Sequence, residues 1–284
     1  MIQTRFNQGS LTRKGSGLPF YPDQDFIPQR RSDMNRIYHY TWLCPHNMGI
    51  PFQFSVPAVG TVTATLSLQS ATGGTSYIGA GWNALLSLQC FDDGTLITYN
   101  GGNFPATIVS GAYYFEIIVS AESGEVSAYS DDFFACTTVA TNAHLLTWWA
   151  AREWLAGVYY NGGSAYKNKM WLRTDMARPK VEYTEEVVED GYGRELPVYQ
   201  RSEDIYNFDV LACDSQVGLL YRIAHHDSIT LKSPLNATAY SIVNVRASDT
   251  GEKSEALAVV EVSFKVDYME STTIDFEAAV LGAC

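Results

Sequence analysis

The chain has 284 residues, 46% of them hydrophobic and 18% charged, the composition of a folded globular protein with enough core for two ordinary domains. Its formal net charge is −12, unevenly spread: no Lys or Arg occurs between Arg36 and Arg152, where seven acidic residues fall. A region without cations cannot displace counterions from a phosphate backbone, which argues against nucleic-acid binding there.

Residues 1–40 carry six basic and three acidic residues, are rich in Gly, Pro, Gln and Arg, and show no hydrophobic periodicity. Such a stretch cannot build a core alone and reads as an extended arm. It is either a plain terminal tail or an arm that becomes ordered on a partner, and its apolar residues Phe20, Tyr21, Phe26 and Ile27 favour the second. Its positive charge points to an acidic protein surface as that partner.

Residues 41–138 read as all-β. Val62, Ala64, Leu66 and Leu68 alternate with Thr63, Thr65 and Ser67, the period of a half-buried strand. Further strands fit Ala84–Cys90, Thr95–Tyr99, Ala112–Ser120 and Val126–Ser130. Gly73-Gly74, Asp93-Gly94, Asn100-Gly101-Gly102 and Ser123-Gly124 supply the turns between them. Short strands at this spacing predict a β-sandwich of immunoglobulin-like or jelly-roll type.

Residues 139–284 read as an α+β domain with long antiparallel strands. Leu145, Trp148, Trp149 and Leu155 fall at roughly helical spacing, predicting a helix over 142–156 capped by Asn142 and ended by Gly157. Extended segments are expected at Met170–Thr174, Lys180–Val188, Pro197–Arg201 and Ile205–Ala212. A second helix is expected over 214–225, with Val217, Leu220, Tyr221 and Ala224 on one face. Two or three strands close the chain, among them Ile229–Lys232 and Ala256–Asp267. Residues 179–201 form a predicted hairpin whose tip is Glu189-Asp190-Gly191-Tyr192-Gly193, with Arg194 beside it. A projecting hairpin either stays solvated or adds a strand to a neighbour's sheet.

The residues offer little chemistry. G-x-S-x-G, H-E-x-x-H and Walker-type patterns are absent from the sequence. His225 and His226 are adjacent, so on extended backbone they face opposite ways, and a helix C-terminus accounts for them better than a metal. Cys44, His46, Cys136 and His144 have ligand chemistry but a poor zinc spacing. Asp92-Asp93-Gly94 and Asp131-Asp132 are only fragments of calcium loops. The five widely spaced cysteines fit reduced, mostly buried thiols. No catalytic, cofactor or metal residue is therefore assigned, and no cofactor is expected. Trp42, Tyr77, Trp82, Tyr99 and Tyr113 could stack on sugar rings, which makes glycan or receptor binding the main alternative. A polysaccharide or cell-wall hydrolase is a second one, with no carboxylate pair singled out. No apolar run is long enough to span a bilayer and no secretory h-region opens the chain, so synthesis in a cytoplasm and no membrane partner are expected.

Two stretches carry a resemblance. Gly111-x-Tyr113-Tyr114-x-Glu116-Ile117 with Tyr129-Ser130-x-x-Phe133 is the first. The second runs from Lys167-Asn168-Lys169 through Pro179, Tyr183, Gly191-Tyr192, Tyr206-x-Phe208-x-x-Leu211-Ala212 and His226-Asp227 to Val260-Glu261-Val262-x-Phe264. In matching order over roughly residues 110–270, these resemble structural virion proteins from tailed phages of Bacteroidetes, the crAss-like phages among them. The chain departs from that pattern at Cys213-Asp214-Ser215, and residues 41–100 match little of it. The resemblance implies a non-enzymatic subunit of a tail hub, baseplate or neck ring. Its partners would be copies of itself in a ring and other tail proteins, with the interface including Phe20, Tyr21, Phe26, Ile27, Tyr192 and Arg194.

Overall fold

The computed structural model describes residues 18, 20–21, 42–45, 49–56, 60–71, 76–78, 86–92, 94–104, 108–122, 124–137, 143–155, 158–160, 166–174, 179–189, 192–193, 195–233, 239–254 and 257–266. They are mostly strand, gathered in several sheets, with one helix among the described residues.

The first half holds β1 (Phe20–Tyr21), β2 (Leu43–Pro45), β3 (Phe52–Val56), β4 (Val62–Ser70), β5 (Ser76–Ile78), β6 (Leu86–Phe91), β7 (Gly94–Tyr99), β8 (Gly111–Ala121), β9 (Gly124–Ser130) and β10 (Phe133–Cys136). Strand β8 is the hub of a seven-stranded sheet. Along one edge it pairs with β4; along the other it pairs first with β10 and then with β9. The change of partner is made at Ser130, whose hydroxyl accepts a 2.8 Å hydrogen bond from the Phe115 N–H where the ladder breaks. The sequence of β8 dictates which face is wet: Tyr113, Phe115, Ile117 and Val119 are buried and the residues between them are half-exposed.

That buried face meets a three-stranded sheet ordered β3-β7-β6. The Phe115 ring centroid lies 5.7 Å from Phe52 on β3 and 5.8 Å from Tyr99 on β7. Two glycines close the adjoining loops. Gly49 has φ +60, and a Cβ there would sit 2.6 Å from the backbone nitrogen of Gly102, so only glycine fits. Gly101, at φ 79, turns the chain out of β7 as its Asn-Gly-Gly sequence suggests.

The second half holds β11 (Ala143–Trp149), β12 (Trp154–Leu155), β13 (Val158–Tyr159), β14 (Asn168–Arg173), β15 (Lys180–Glu189), β16 (Glu195–Ala212), α1 (Asp214–Ile223), β17 (Ser228–Lys232), β18 (Tyr240–Ser254) and β19 (Leu257–Val266). Seven of these strands form one sheet in the order β14-β11-β17-β18-β19-β16-β15, antiparallel at every pairing. Two corrections follow. Residues 143–149 are strand, not helix: β11 lies between β14 and β17, and Ala143, His144, Leu145 and Leu146 are all buried. A strand covered on both faces loses its alternation, so its apolar positions mimic helical spacing. The extended segments expected at 197–201 and 205–212 are one strand, because β16 runs unbroken through Ser202–Asp204, changing partner from β15 to β19 at Ile205.

Helix α1 stands where the pattern placed it, but its buried face is Gln216, Leu219, Leu220 and Ile223, while Tyr221 and Ala224 are exposed. The Gln216 side chain accepts from the Cys213 N–H at 3.3 Å, tying down the first turn. Most of the buried apolar residues, from Leu18 to Phe264, form one cluster through both halves, and Ala150, Val158, Tyr160 and Tyr166 form a second, smaller one. A buried amide joins the two halves: Gln53 Nε2 donates to Tyr159 O at 2.9 Å, and Tyr159 N–H donates to Gln53 Oε1 at 2.8 Å. No helix among the described residues is long and apolar enough to cross a membrane.

Candidate assembly surface

Hairpin β15–β16 carries several of the exposed large hydrophobic residues. Ten residues of β15 pair in register from Lys180↔Ile205 to Glu189↔Glu195, with one irregularity at Glu186/Val187. The turn passes through Gly193, whose φ of 77 requires glycine. Strand β15 is the end strand of its sheet, and among the described residues nothing pairs with its outer edge. Every described side chain on it is exposed.

Period-two geometry sorts these side chains into two faces. Val181, Tyr183 and Val187 share the face that, further along β16, becomes Phe208 and Val210, and on β19 Val260, Val262 and Phe264. The latter five are buried, whereas Val181 is 61% and Tyr183 59% exposed. The core face of the sheet therefore continues outward past the end of its own cover. Tyr192, in the turn, is 86% exposed. Glu185 lies on the same face between Tyr183 and Val187, so the exposed face of this end strand mixes apolar side chains with a carboxylate.

Charge is concentrated on the same element. Residues 180–205 hold eight acidic and three basic residues. Glu189 and Glu195 are directly cross-strand at the mouth of the turn, a like-charge pair that weakens an isolated hairpin. On the opposite face the twist of four strands leaves a polar cavity of about 350 Å³ lined by Lys180, Glu182, Asn207, Arg246, Glu261 and Lys265, among others. Lys265 is paired with Glu203 beside it. This cavity mixes both signs of charge.

The expected interface residues divide. Tyr192 stands exposed at the tip, as an interface anchor must. Phe20 does not: it is 2% exposed, its ring 4.5 Å from Phe52 and 4.9 Å from Phe54, because β1 pairs with β9 and carries the residue into the chain's own core. Tyr21 lies in β1 beside it, with its side chain outside the described residues, as are Phe26, Ile27 and Arg194. Among the candidate sugar-stacking residues, Trp42 is 1% and Tyr99 0% exposed. Neither offers a ring face to solvent; both fill the aromatic core. Tyr113 is buried as well, and its hydroxyl donates to Val109 O at 3.0 Å. Tyr77 is in β5 with its side chain outside the described residues, and Trp82 is outside them altogether. Val181, Tyr183 and Val187 were not singled out from the sequence, where only Val181-Glu182-Tyr183 alternates and Glu185-Glu186-Val187-Val188 breaks the pattern.

Histidine 226 closes a buried polar network. Its Nδ1 is 2.9 Å from Arg222 O, an acceptor only, so Nδ1 carries the proton and Nε2 accepts from the Tyr160 hydroxyl at 2.7 Å. Asn168 Nδ2 donates to the same hydroxyl oxygen at 2.7 Å. Burial pushes the His226 pKa down and holds the ring neutral, and it pushes the Tyr160 phenol up. His225, one residue earlier, is exposed, so the pair does face two ways. All three hydrogen bonds close inside the fold, while the buried Asn168 Oδ1 has no hydrogen-bond partner among the described residues. Burial also drives the Cys44 thiol well above its usual range and raises that of Cys136, the reverse of what a thiolate ligand needs. Among the described residues no three His, Cys, Asp or Glu side chains come together as a metal set, and His46 lies outside them.

No known family model matches the chain, and no curated protein matches it in sequence.

Proposed function

We propose that this protein is a structural subunit of a tailed-phage virion, in the tail hub, baseplate or neck ring, acting through contacts with sister copies and other tail proteins and without catalysis. In this reading residues 1–40 are an arm, 41–138 a β-sandwich domain and 139–284 an α+β assembly domain. The observation that carries it is the end hairpin. Among the described residues the core face of this sheet runs on exposed through Val181, Tyr183 and Val187, with Glu185 between the last two, and leaves apolar area that another chain can bury. Its long unpaired edge suits strand addition, a common way for neighbouring subunits to join sheets. The order of the motifs from Tyr113 to Phe264, similar to that of phage virion proteins, supports the setting.

Electron microscopy of purified particles, with the chain located in the density, tests this reading. It expects a symmetric set of copies in the tail or neck with β15 at a contact between chains. Absence of the chain from mature particles overturns it.

A further inference from the structure

The face of the second sheet that turns away from the core carries the polar cavity, and the register of four strands lays out its charges. Residues paired across β15, β16, β19 and β18 form rows about 7 Å apart along the strands. One row holds Lys180, Ile205, Lys265 and Val243, and the next holds Asn207, Ser263 and Arg246. Acids occupy the rows on either side, Glu182 with Glu203 at one end and Asp209 with Glu261 at the other. The trough is therefore positive across its middle and acidic at both ends.

Arg246 stands in the trough because β18 bulges. Three steps of β18, from Val243 to Arg246, span two steps of β19, from Lys265 to Ser263. With regular pairing Val245 would lie opposite Ser263, and Arg246 would turn to the core face. The extra residue, with Asn244 at φ 54, instead leaves Val245 buried and Arg246 exposed on the outer face.

The sheet does not use these charges up. Lys265 is paired with Glu203, but among the described residues neither Lys180 nor Arg246 has an ion-pair partner. Asn207 Oδ1, on the strand between them, is buried and has no hydrogen-bond partner among the described residues either. The cavity, about 350 Å³, has the size of a small-molecule site, for which roughly 300–1,000 Å³ is usual. Most such sites are apolar, whereas only Ile205 and Phe264 in this lining are, so the occupant must be hydrophilic. A bare anion would meet Lys180 and Arg246 but be repelled by Glu182 and Glu261, and a chain of phosphates more so. A molecule with one acid group and several hydroxyls suits both: the acid lies over the central cations, and the hydroxyls donate to the carboxylates at the ends.

We infer that this trough binds an acidic sugar, its carboxylate held by Arg246 and Lys180 and its hydroxyls by Glu182, Glu261 and Ser263. This goes beyond the assembly reading and does not depend on it.

Titration of the isotope-labelled full chain with glucuronate, followed by amide chemical shifts, tests the inference. Glucose, inorganic phosphate and a zwitterionic dipeptide are titrated in parallel. Glucuronate is expected to shift the amides of Asn207, Arg246, Ser248 and Ser263 saturably, and the other three to bind at least about tenfold more weakly. A short oligouronide that binds more tightly than glucuronate identifies a polysaccharide as the source, and equal binding identifies the free sugar. Arg246→Ala should weaken glucuronate binding at least about tenfold, and Arg246→Lys should restore part of it. Arg246 is exposed, so both variants should unfold near the wild-type temperature. Glucuronate that shifts no amide in the trough, or binds Arg246→Ala as well as wild type, overturns the inference. So does phosphate, glucose or the dipeptide binding as tightly as glucuronate. A chain that binds glucuronate yet stays monomeric keeps this site and loses the assembly reading.

Discussion

The Phe20 ring packs 4.5 Å from that of Phe52, centroid to centroid, and this contact seats β1 in the chain's own aromatic core. Phe20 is carried there by pairing of β1 with β9, and it stacks on Phe54 as well. Replacing it with alanine opens a cavity in the aromatic core, which typically destabilises by about 3–5 kcal/mol. Equilibrium urea unfolding of Phe20→Ala should show a lower midpoint with an unchanged slope. A midpoint equal to wild type would mean that β1 is not seated as described.

Gly49 is the position least able to accept a side chain. Its φ of +60 and the 2.6 Å approach of Gly102 N to a built Cβ act together. Gly49→Ala should lose at least the roughly 1–3 kcal/mol of a strained backbone residue, with the clash against Gly102 adding to it. Thermal unfolding measures this, and Gly60→Ala is the control, since φ there is +91 but no atom lies within 4 Å. The Gly60 variant should be destabilised by less.

His226 makes stability depend on pH. Its folded-state pKa is lowered, chiefly by burial, below the 6.5 of a free histidine, so the unfolded chain binds this proton more readily than the folded one. The contribution is therefore fully present above pH 6.5 and declines as pH falls from there to the folded pKa. Unfolding free energies measured across that window should fall with falling pH, and His226→Gln should flatten that part of the slope. An unchanged slope in the variant would show that the ring titrates freely in the fold.

Much of this architecture was legible because strands covered on one face write their alternation into the sequence. Strand β8 is the clear case: Tyr113, Phe115, Ile117 and Val119 are buried in turn, and the strand falls within a residue of its expected ends. Legibility failed where both faces are covered, as at β11, whose closely spaced apolar residues looked helical. It also failed for β18, a fifteen-residue strand bent by irregularities at Val243/Arg246 and Asp249/Lys253, with Asn244 at φ 54 interrupting its alternation. The hairpin was readable from its turn residues and charge. The exposure of its apolar side chains was not, because the burial of Phe208 and Val210 and the exposure of Val181 and Tyr183 depend on where the cover of the sheet stops. That is a tertiary fact. The same limit explains Trp42 and Tyr99, where an aromatic side chain suits a core and a sugar platform equally well until its neighbours are known.

The polar cavity behind the hairpin bears on how stiffly β15 is held. Glu203 on β16 pairs with Lys265 on β19, so the charge that faces the cavity is partly neutralised within the sheet. Lys265→Ala should therefore leave Glu203 half-buried without that partner and loosen the junction between β16 and β19. Hydrogen exchange of the amides on both strands around Ile205 reports it, with faster exchange expected in the variant. Unaltered exchange would assign the ion pair a surface role only.

The most direct test of the central claim, that this chain works through the apolar face of its end hairpin, is sedimentation of the purified protein beside a Val181→Ser, Tyr183→Ser, Val187→Ser variant. All three side chains are exposed, so the variant should unfold at nearly the wild-type temperature. The account predicts a concentration-dependent oligomer for wild type and a monomer for the variant. A wild-type chain that sediments as a monomer at every concentration, or a variant that assembles as wild type does, would contradict it.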